Sequence, residues 1–414
     1  MPVVSLETHL ECGIPNFSID HLIEQARCQI PSVPTSTYEV VVNSISPIAI
    51  CSTGELFGGV ERHILGLLSG LRAAGIKASL FLFQDGELAA QSRKQNDEPV
   101  ILSGDNFRLF ATAREMAHLL SAQGVRLVHV HGYKAGVFCA IAKNLYPFAI
   151  VKTEHGLPEP LKGNIAGGIR DRAYRLLDTI TTRATSAAVC YVTKDLETHY
   201  HRAHRRLRTY VIPNGVPIMD PSDFLRPPEY LKRHLNLAII GRLDQVKGHR
   251  FAIEALATND ALSDVHLHII GTGPTENELR RLVDNRKLDG QVHFLGFRRN
   301  IYDYIAHCDA LLIPSLHEGL PYTLLESMAL ARPIIASKVG GLAEILEDSV
   351  TALLTKPGDV QSLALAMLRI HHDSFLCNNL GETARFIQQA RYSLKQMTQS
   401  YLNVFQEQLN TVVL

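Results

Sequence analysis

Short apolar runs that stop at glycine or histidine, each followed by apolar residues at helical spacing, recur along this chain and leave it little choice of architecture. The run 48–52 leads through Gly58-Gly59 into Val60, Ile64, Leu67, Leu68 and Leu71, the spacing of one helix face. Runs over 78–83, over 127–131 before Gly132, and over 150–153 before Glu154-His155-Gly156 repeat the unit, with a helix over 114–123. A second set begins with 237–240 and continues with 265–270, 292–295, 310–313, 333–337 and 352–354. Such alternation predicts parallel sheets covered by helices on both faces. Ligands of these sheets bind at the carboxyl ends of the strands, which puts Gly58, Gly59, His131 and His155 on one rim.

At 414 residues the chain exceeds what one core usually holds. Pro217, Pro221, Pro227 and Pro228 mark a linker, separating a domain over 48–218 from one over 229–392. Residues 1–47 are an extension of unknown role, with one short amphipathic helix around Ile19 and Leu22 and an edge strand over 38–45. Two helical segments are expected after the second set, from about 361 and about 393.

Forty-one basic and 41 acidic residues balance, which removes the global argument for nucleic-acid binding. The seven cysteines are odd in number, without CxxC spacing, and read as reduced core residues of a cytoplasmic protein. Neither a signal peptide nor a membrane-spanning stretch is legible. Two segments are locally basic, Arg170, Arg172, Arg175 and Arg183, then Arg202, Arg205, Arg206 and Arg208. They are either solvated faces or a peripheral contact with an anionic membrane. His199, His201 and His204 lack a further ligand that would complete a metal set.

Chemistry concentrates in Ser315-Leu-His-Glu-Gly-Leu-Pro-Tyr-Thr-Leu-Leu-Glu326. Glu318 lies in a loop with Gly319 and Leu320, and Glu326 in an apolar helix that Pro321 can open. A helix N-terminus just after a strand attracts an anion. Arg242 and Lys247 share one loop between Gly241 and Gly248, and a planar fork beside a mobile point charge suits a diphosphate. Gly271, Gly273 and Pro274 form another strand-end turn, as do Gly340-Gly341-Leu342. No Asp-x-Asp pair occurs, so cations and helix amides are expected to take the place of a metal at the diphosphate.

These residues resemble a retaining glycosyltransferase of family 4, with the GT-B architecture of two facing Rossmann-like domains. The likeness rests on Glu318-x7-Glu326, Gly241-Arg242-x4-Lys247-Gly248, Pro213-Asn-Gly-Val216, Gly271-x-Gly-Pro274, Gly58-Gly59 and Glu154-His155-Gly156. It implies a metal-independent transferase with a nucleotide-diphosphate sugar as donor, a glycan, glycolipid or small-molecule acceptor, and no cofactor. By the same likeness Glu318, Arg242, Lys247 and His155 are catalytic. Glu326, Gly319, Leu320, Gly271, Gly273, Gly341 and Leu342 bind the donor, with Glu326 on the ribose. Gly58, Gly59 and His131 belong to the acceptor and phosphate loop, and a helix over about 393–414 returns to the first domain. Ala331 stands where the family often has glycine. The alternatives are a nucleotide-sugar epimerase on the same fold and a non-catalytic nucleotide-sugar-binding protein.

Overall fold

The computed structural model describes residues 45–54, 58–102, 109–156 and 165–412. The expected helix around Ile19 lies outside these residues, as does all of the expected edge strand except Ile45, which is not in a strand.

Apolar runs become strands because β-branched and aliphatic side chains buried on both faces suit a parallel sheet. In the first half these are β1 Ile48–Ser52, β2 Ala78–Leu82, β3 Val100–Ile101, β4 Leu127–His131, β5 Ala149–Glu154, β6 Ala188–Tyr191 and β7 Arg208–Val211. They form one sheet in the order β3-β2-β1-β4-β5-β6-β7, every pair parallel. The second half supplies β8 Leu235–Ile240, β9 Val265–Ile270, β10 Val292–Gly296, β11 Ala310–Ile313, β12 Ile334–Ser337 and β13 Leu353–Thr355. Their order is β10-β9-β8-β11-β12-β13, again all parallel. Both are doubly wound sheets, as the alternation predicts, and each reverses direction beside its first strand, between β1 and β4 and between β8 and β11. Crevices open at such switch points.

Chain crossings between the sheets are stitched together. Val216 donates to Tyr392 O at 3.0 Å, and Leu394 donates back to Val216 O at 2.8 Å. A side chain at Gly215 would place its Cβ 2.6 Å from Ser393 O, so only glycine lets the two crossing segments touch here. The helix Leu394–Val412 then lies on the first sheet, where Met397, Tyr401 and Phe405 share a core with Ile48, Ile64 and Val151. Thr398 of this helix meets Gly70 of the helix Gly59–Ala73 with no room for a Cβ between them.

Three helices, rather than the two expected, follow β13: Val360–His372, Ser374–Arg391 and Leu394–Val412. Asp373 ends the first of them and accepts from Leu376 N at 2.8 Å, an N-cap that starts a new helix. The helix bearing Glu326 spans Tyr322–Ala329, with Pro321 at its cap, and closes on Ala331 at φ +54°. A left-handed alanine costs about 1–2 kcal/mol. Ala331→Gly is expected to raise the unfolding free energy by about 1 kcal/mol after the added chain entropy of glycine. The urea midpoint reads this, and an unchanged or lower midpoint would show that the alanine methyl contributes packing of equal size.

Candidate functional site

Two helix N-termini face one another across the crevice. The helix Gly59–Ala73 starts at the end of β1, with Glu61 accepting from Gly58 N at 2.8 Å, and a Cβ on Gly59 would lie 4.0 Å from the Tyr322 ring. Gly319 comes as close to the first half, since its Cβ would lie 3.4 Å from His155 O. Gly58, Gly59, His155, Gly319 and the cap at Pro321 therefore border one cleft, with the amide ends of both helices aimed into it.

The second half builds its wall from Lys247 and Glu318. Lys247 Nζ donates to Glu318 Oε1 at 2.6 Å, and Ser315 Oγ donates to the same oxygen at 2.7 Å. Glu318 is buried while Lys247 is a third exposed, so the carboxylate is fixed and the ammonium reaches the cleft. Arg242 donates through Nε and Nη2 to Asp244 Oδ2, each at 2.8 Å. Asp244 Oδ1 also accepts from the amides of Val246 and Lys247, which ties the basic loop into one turn.

The expected glycines divide by role. A Cβ on Gly271 would lie 1.9 Å from Gly241 O and one on Gly273 2.2 Å from Leu243 O, so both are filled from behind by the loop carrying Arg242 and hold it in place. Gly341 stacks on Gly319 in the same way, since a Cβ on it would lie 2.1 Å from Gly319 O. Leu320 and Leu342 turn their side chains into the core, leaving only backbone groups for a donor.

Glu326 is not open to the cleft. Its side chain is 1% exposed and accepts from Arg62 Nη1 at 2.8 and 3.1 Å and from Tyr302 OH at 3.1 Å. Burial raises its pKa, which Arg62 partly offsets. Arg62 comes from the first half, so the pair bridges the cleft. Removing one partner of a buried pair costs about 3–5 kcal/mol. Arg62→Ala is expected to cost about 3 kcal/mol at neutral pH and less in acid, where Glu326 takes a proton, as chemical denaturation at two pH values would read. Equal losses at both would assign the effect to packing of the arginine stem.

Behind His155 lies a cluster that the sequence only half announces. His131 Nδ1 and His155 Nε2 share a hydrogen bond at 2.8 Å. His63 Nδ1 meets Asn214 Oδ1 at 3.0 Å, and Asn214 Nδ2 donates to Leu320 O at 2.9 Å in the other half. His129 Nε2 meets Thr153 Oγ1 at 2.7 Å. Burial lowers the His63 pKa to about 4 and holds His129, His131 and His155 well below the ordinary value, with the neighbouring rings adding to the effect in those three. The imidazoles are therefore neutral, the state that binds metals. His63, His131 and His155 place ligand atoms within 4.8 Å of one another, and among the described residues this is the group whose spacing would admit a metal ion. His204, by contrast, is hydrogen-bonded to Tyr191 OH.

Sequence reasoning missed Arg62, His63 and Tyr302, and gave no role to Asn214 and Ser315, which stand in motifs it named. His63 precedes Leu67 by four, so it lies on the buried stripe as a polar residue among aliphatics, a signal that could have found it.

Residues 57–219 match the profile described as Glycosyltransferase Family 4, and residues 229–386 the profile described as Glycosyl transferases group 1. The chain is similar to the UDP-Gal:alpha-D-GlcNAc-diphosphoundecaprenol alpha-1,3-galactosyltransferase of Escherichia coli, at 26% identity over 62% of this chain and 69% of the relative. It is also similar to the N-acetyl-alpha-D-glucosaminyl L-malate synthase of Bacillus anthracis, at 24% identity over 72% of this chain and 79% of the relative. Among solved structures, Anabaena Alr3699/HepE in complex with UDP superposes with a TM-score of 0.74 at 21% identity, covering 87% of this chain and 99% of that one.

Proposed function

Because this chain belongs to the group 1 glycosyltransferases of GT-B fold, we propose that it moves a sugar from a UDP-sugar to a lipid-linked acceptor, retaining the anomeric configuration and using no metal. The observation that carries this reading is the Lys247–Glu318 pair, 2.6 Å apart, on the wall of a cleft whose opposite side holds His155 and the N-terminus of the helix Gly59–Ala73. The UDP-Gal and diphosphoundecaprenol in the name of the Escherichia coli relative, and the UDP in the solved structure, support the donor and acceptor classes.

The donor diphosphate lies between the N-terminus of the helix Tyr322–Ala329 and the cations Lys247 and Arg242. The bond from the anomeric carbon to the diphosphate oxygen breaks ahead of attack, and the electron pair leaves with the diphosphate. Fixed positive groups already oriented toward that charge lower the barrier. The acceptor hydroxyl adds on the same face and gives its proton to the departing phosphate oxygen. Glu318 fixes Lys247 and faces the sugar, and His155 closes over the sugar from the first half. Glu326 takes the ribose hydroxyls once Arg62 releases it, so donor binding exchanges an ion pair across the cleft for a ligand.

Incubation with a panel of nucleotide sugars tests the reading. Acceptor-dependent release of UDP is the expected result. An altered sugar still on its nucleotide would indicate epimerisation, and saturable binding without turnover a sensor. EDTA is expected to leave the rate within about twofold, the small change that goes with diphosphate charge held by protein cations. Loss of activity on chelation, restored by a divalent ion and abolished by His63→Ala, would place a metal at the histidine cluster and end the metal-independent reading.

A further inference from the structure

The helix Ile165–Thr185 is built inside out over its described stretch 176–185. Its inward side carries Asp178 and Thr182, both buried, whereas Leu176 is 64%, Ile180 54% and Leu177 39% exposed. A surface helix of a water-soluble domain normally shows the reverse. The rotation is not free to change. Lys152 Nζ, buried in β5, donates to Asp178 Oδ2 at 2.6 Å and to Thr182 Oγ1 at 3.3 Å. Gly136 of the neighbouring helix Tyr133–Lys143 leaves the space that Asp178 fills, for a Cβ there would lie 2.7 Å from Asp178 Oδ1. With Asp178 locked inward, the positions 176 and 180 must point outward.

Among the described residues of this helix the exposed charges around the apolar stripe are basic. Arg172 and Arg183 are exposed on the helix itself. Arg183 Nε donates to Ala203 O, which joins the stripe to the end of the helix Lys194–His204, where Arg202, Arg205 and Arg206 are exposed. Leucines and isoleucine flanked by arginines, on a helix too polar to span a bilayer, match an interfacial helix that lies in the headgroup layer.

We propose that the outward face of this helix docks the protein on an anionic lipid bilayer, with Leu176, Leu177 and Ile180 entering the headgroup boundary and the five arginines pairing with lipid phosphates. The proposal deepens the transferase reading, since a membrane-borne acceptor would then meet the first half of the cleft at the bilayer. Vesicle binding is read without turnover, so the two fail separately.

The test is co-sedimentation of the full chain with vesicles of phosphatidylglycerol in phosphatidylcholine and with vesicles of phosphatidylcholine alone. Wild-type protein is expected to sediment with the first and not the second, more weakly as salt rises. The variant carrying Leu176→Ser and Ile180→Ser is expected to bind the anionic vesicles about tenfold or more weakly at unchanged net charge. Its exposed substitutions leave the fold and the rate on a detergent-soluble acceptor unchanged. Equal binding by variant and wild type, equal binding to neutral vesicles, or no binding at all would overturn the proposal. So would light scattering that finds a dimer which Ile180→Glu dissociates, because the face would then belong to a second copy.

Discussion

Lys247→Ala is expected to lower turnover by about 10²- to 10³-fold, the usual loss when one preorganised charge partner of a departing group is removed. Lys247 is a third exposed and its aliphatic stem fills no core, so the thermal midpoint should move little. Glu318 keeps its hydrogen bond from Ser315 at 2.7 Å when the ammonium is gone. Glu318→Ala acts on the other partner and should cost a similar factor. With the carboxylate absent Lys247 has no fixed direction, so the double variant should fall well short of the product of the two single losses. Rates near wild type in both single variants, with the fold intact, would remove the mechanism proposed for this cleft.

The second large effect is acid sensitivity. A histidine whose folded pKa lies below its unfolded value binds more protons when unfolded, so its contribution to stability is complete above about pH 6.5 and is lost as pH falls toward the folded value. Each such group removes about 1.4 kcal/mol per pH unit across that window. For His63 the window runs from the ordinary 6.5 to about 4. His129 and His131, equally buried, are lowered in the same direction. His63 alone amounts to about 2 kcal/mol at pH 5, a sizeable share of an ordinary domain's stability, and the other two change stability in the same direction. Urea denaturation between pH 8 and pH 5 is expected to show stability level above pH 7 and falling steeply below 6.5. In His63→Gln the slope should drop by one proton. A flat profile would mean that the cluster accepts protons in place.

Much of this architecture is legible because local patterns decide it. Val128, Val130, Ile150 and their neighbours can only be buried strands, and a glycine turn before an apolar helix is the signature of a parallel unit. The Arg242–Lys247 loop and Glu318 are equally local, each recognisable within a few residues of its own strand. What escaped depends on contacts between distant segments. Glu326 reads as open to a ligand until Arg62, 264 positions earlier in the chain, is placed against it. Asn214 sits in a motif that carries the family likeness without assigning its side chain a role, yet it hydrogen-bonds both His63 and Leu320. The segment 170–183 reads as basic, either solvated or at an anionic membrane, and nothing in its own sequence decides that Asp178, rather than Leu176, faces the buried lysine of β5.

The return of the helix Leu394–Val412 to the first sheet has a consequence for biosynthesis. Tyr401 and Phe405 belong to the same core as Ile48 and Val151, so the sheet made first stays open along one face while the whole second sheet is translated. At about 5–20 residues per second that interval is roughly ten to forty seconds. During it the aliphatic face around Ile64 and Leu68 is exposed to whatever binds nascent apolar surface. The half that emerges first from the ribosome is thus the half completed last, and the second sheet, contiguous in sequence, is free to fold before it.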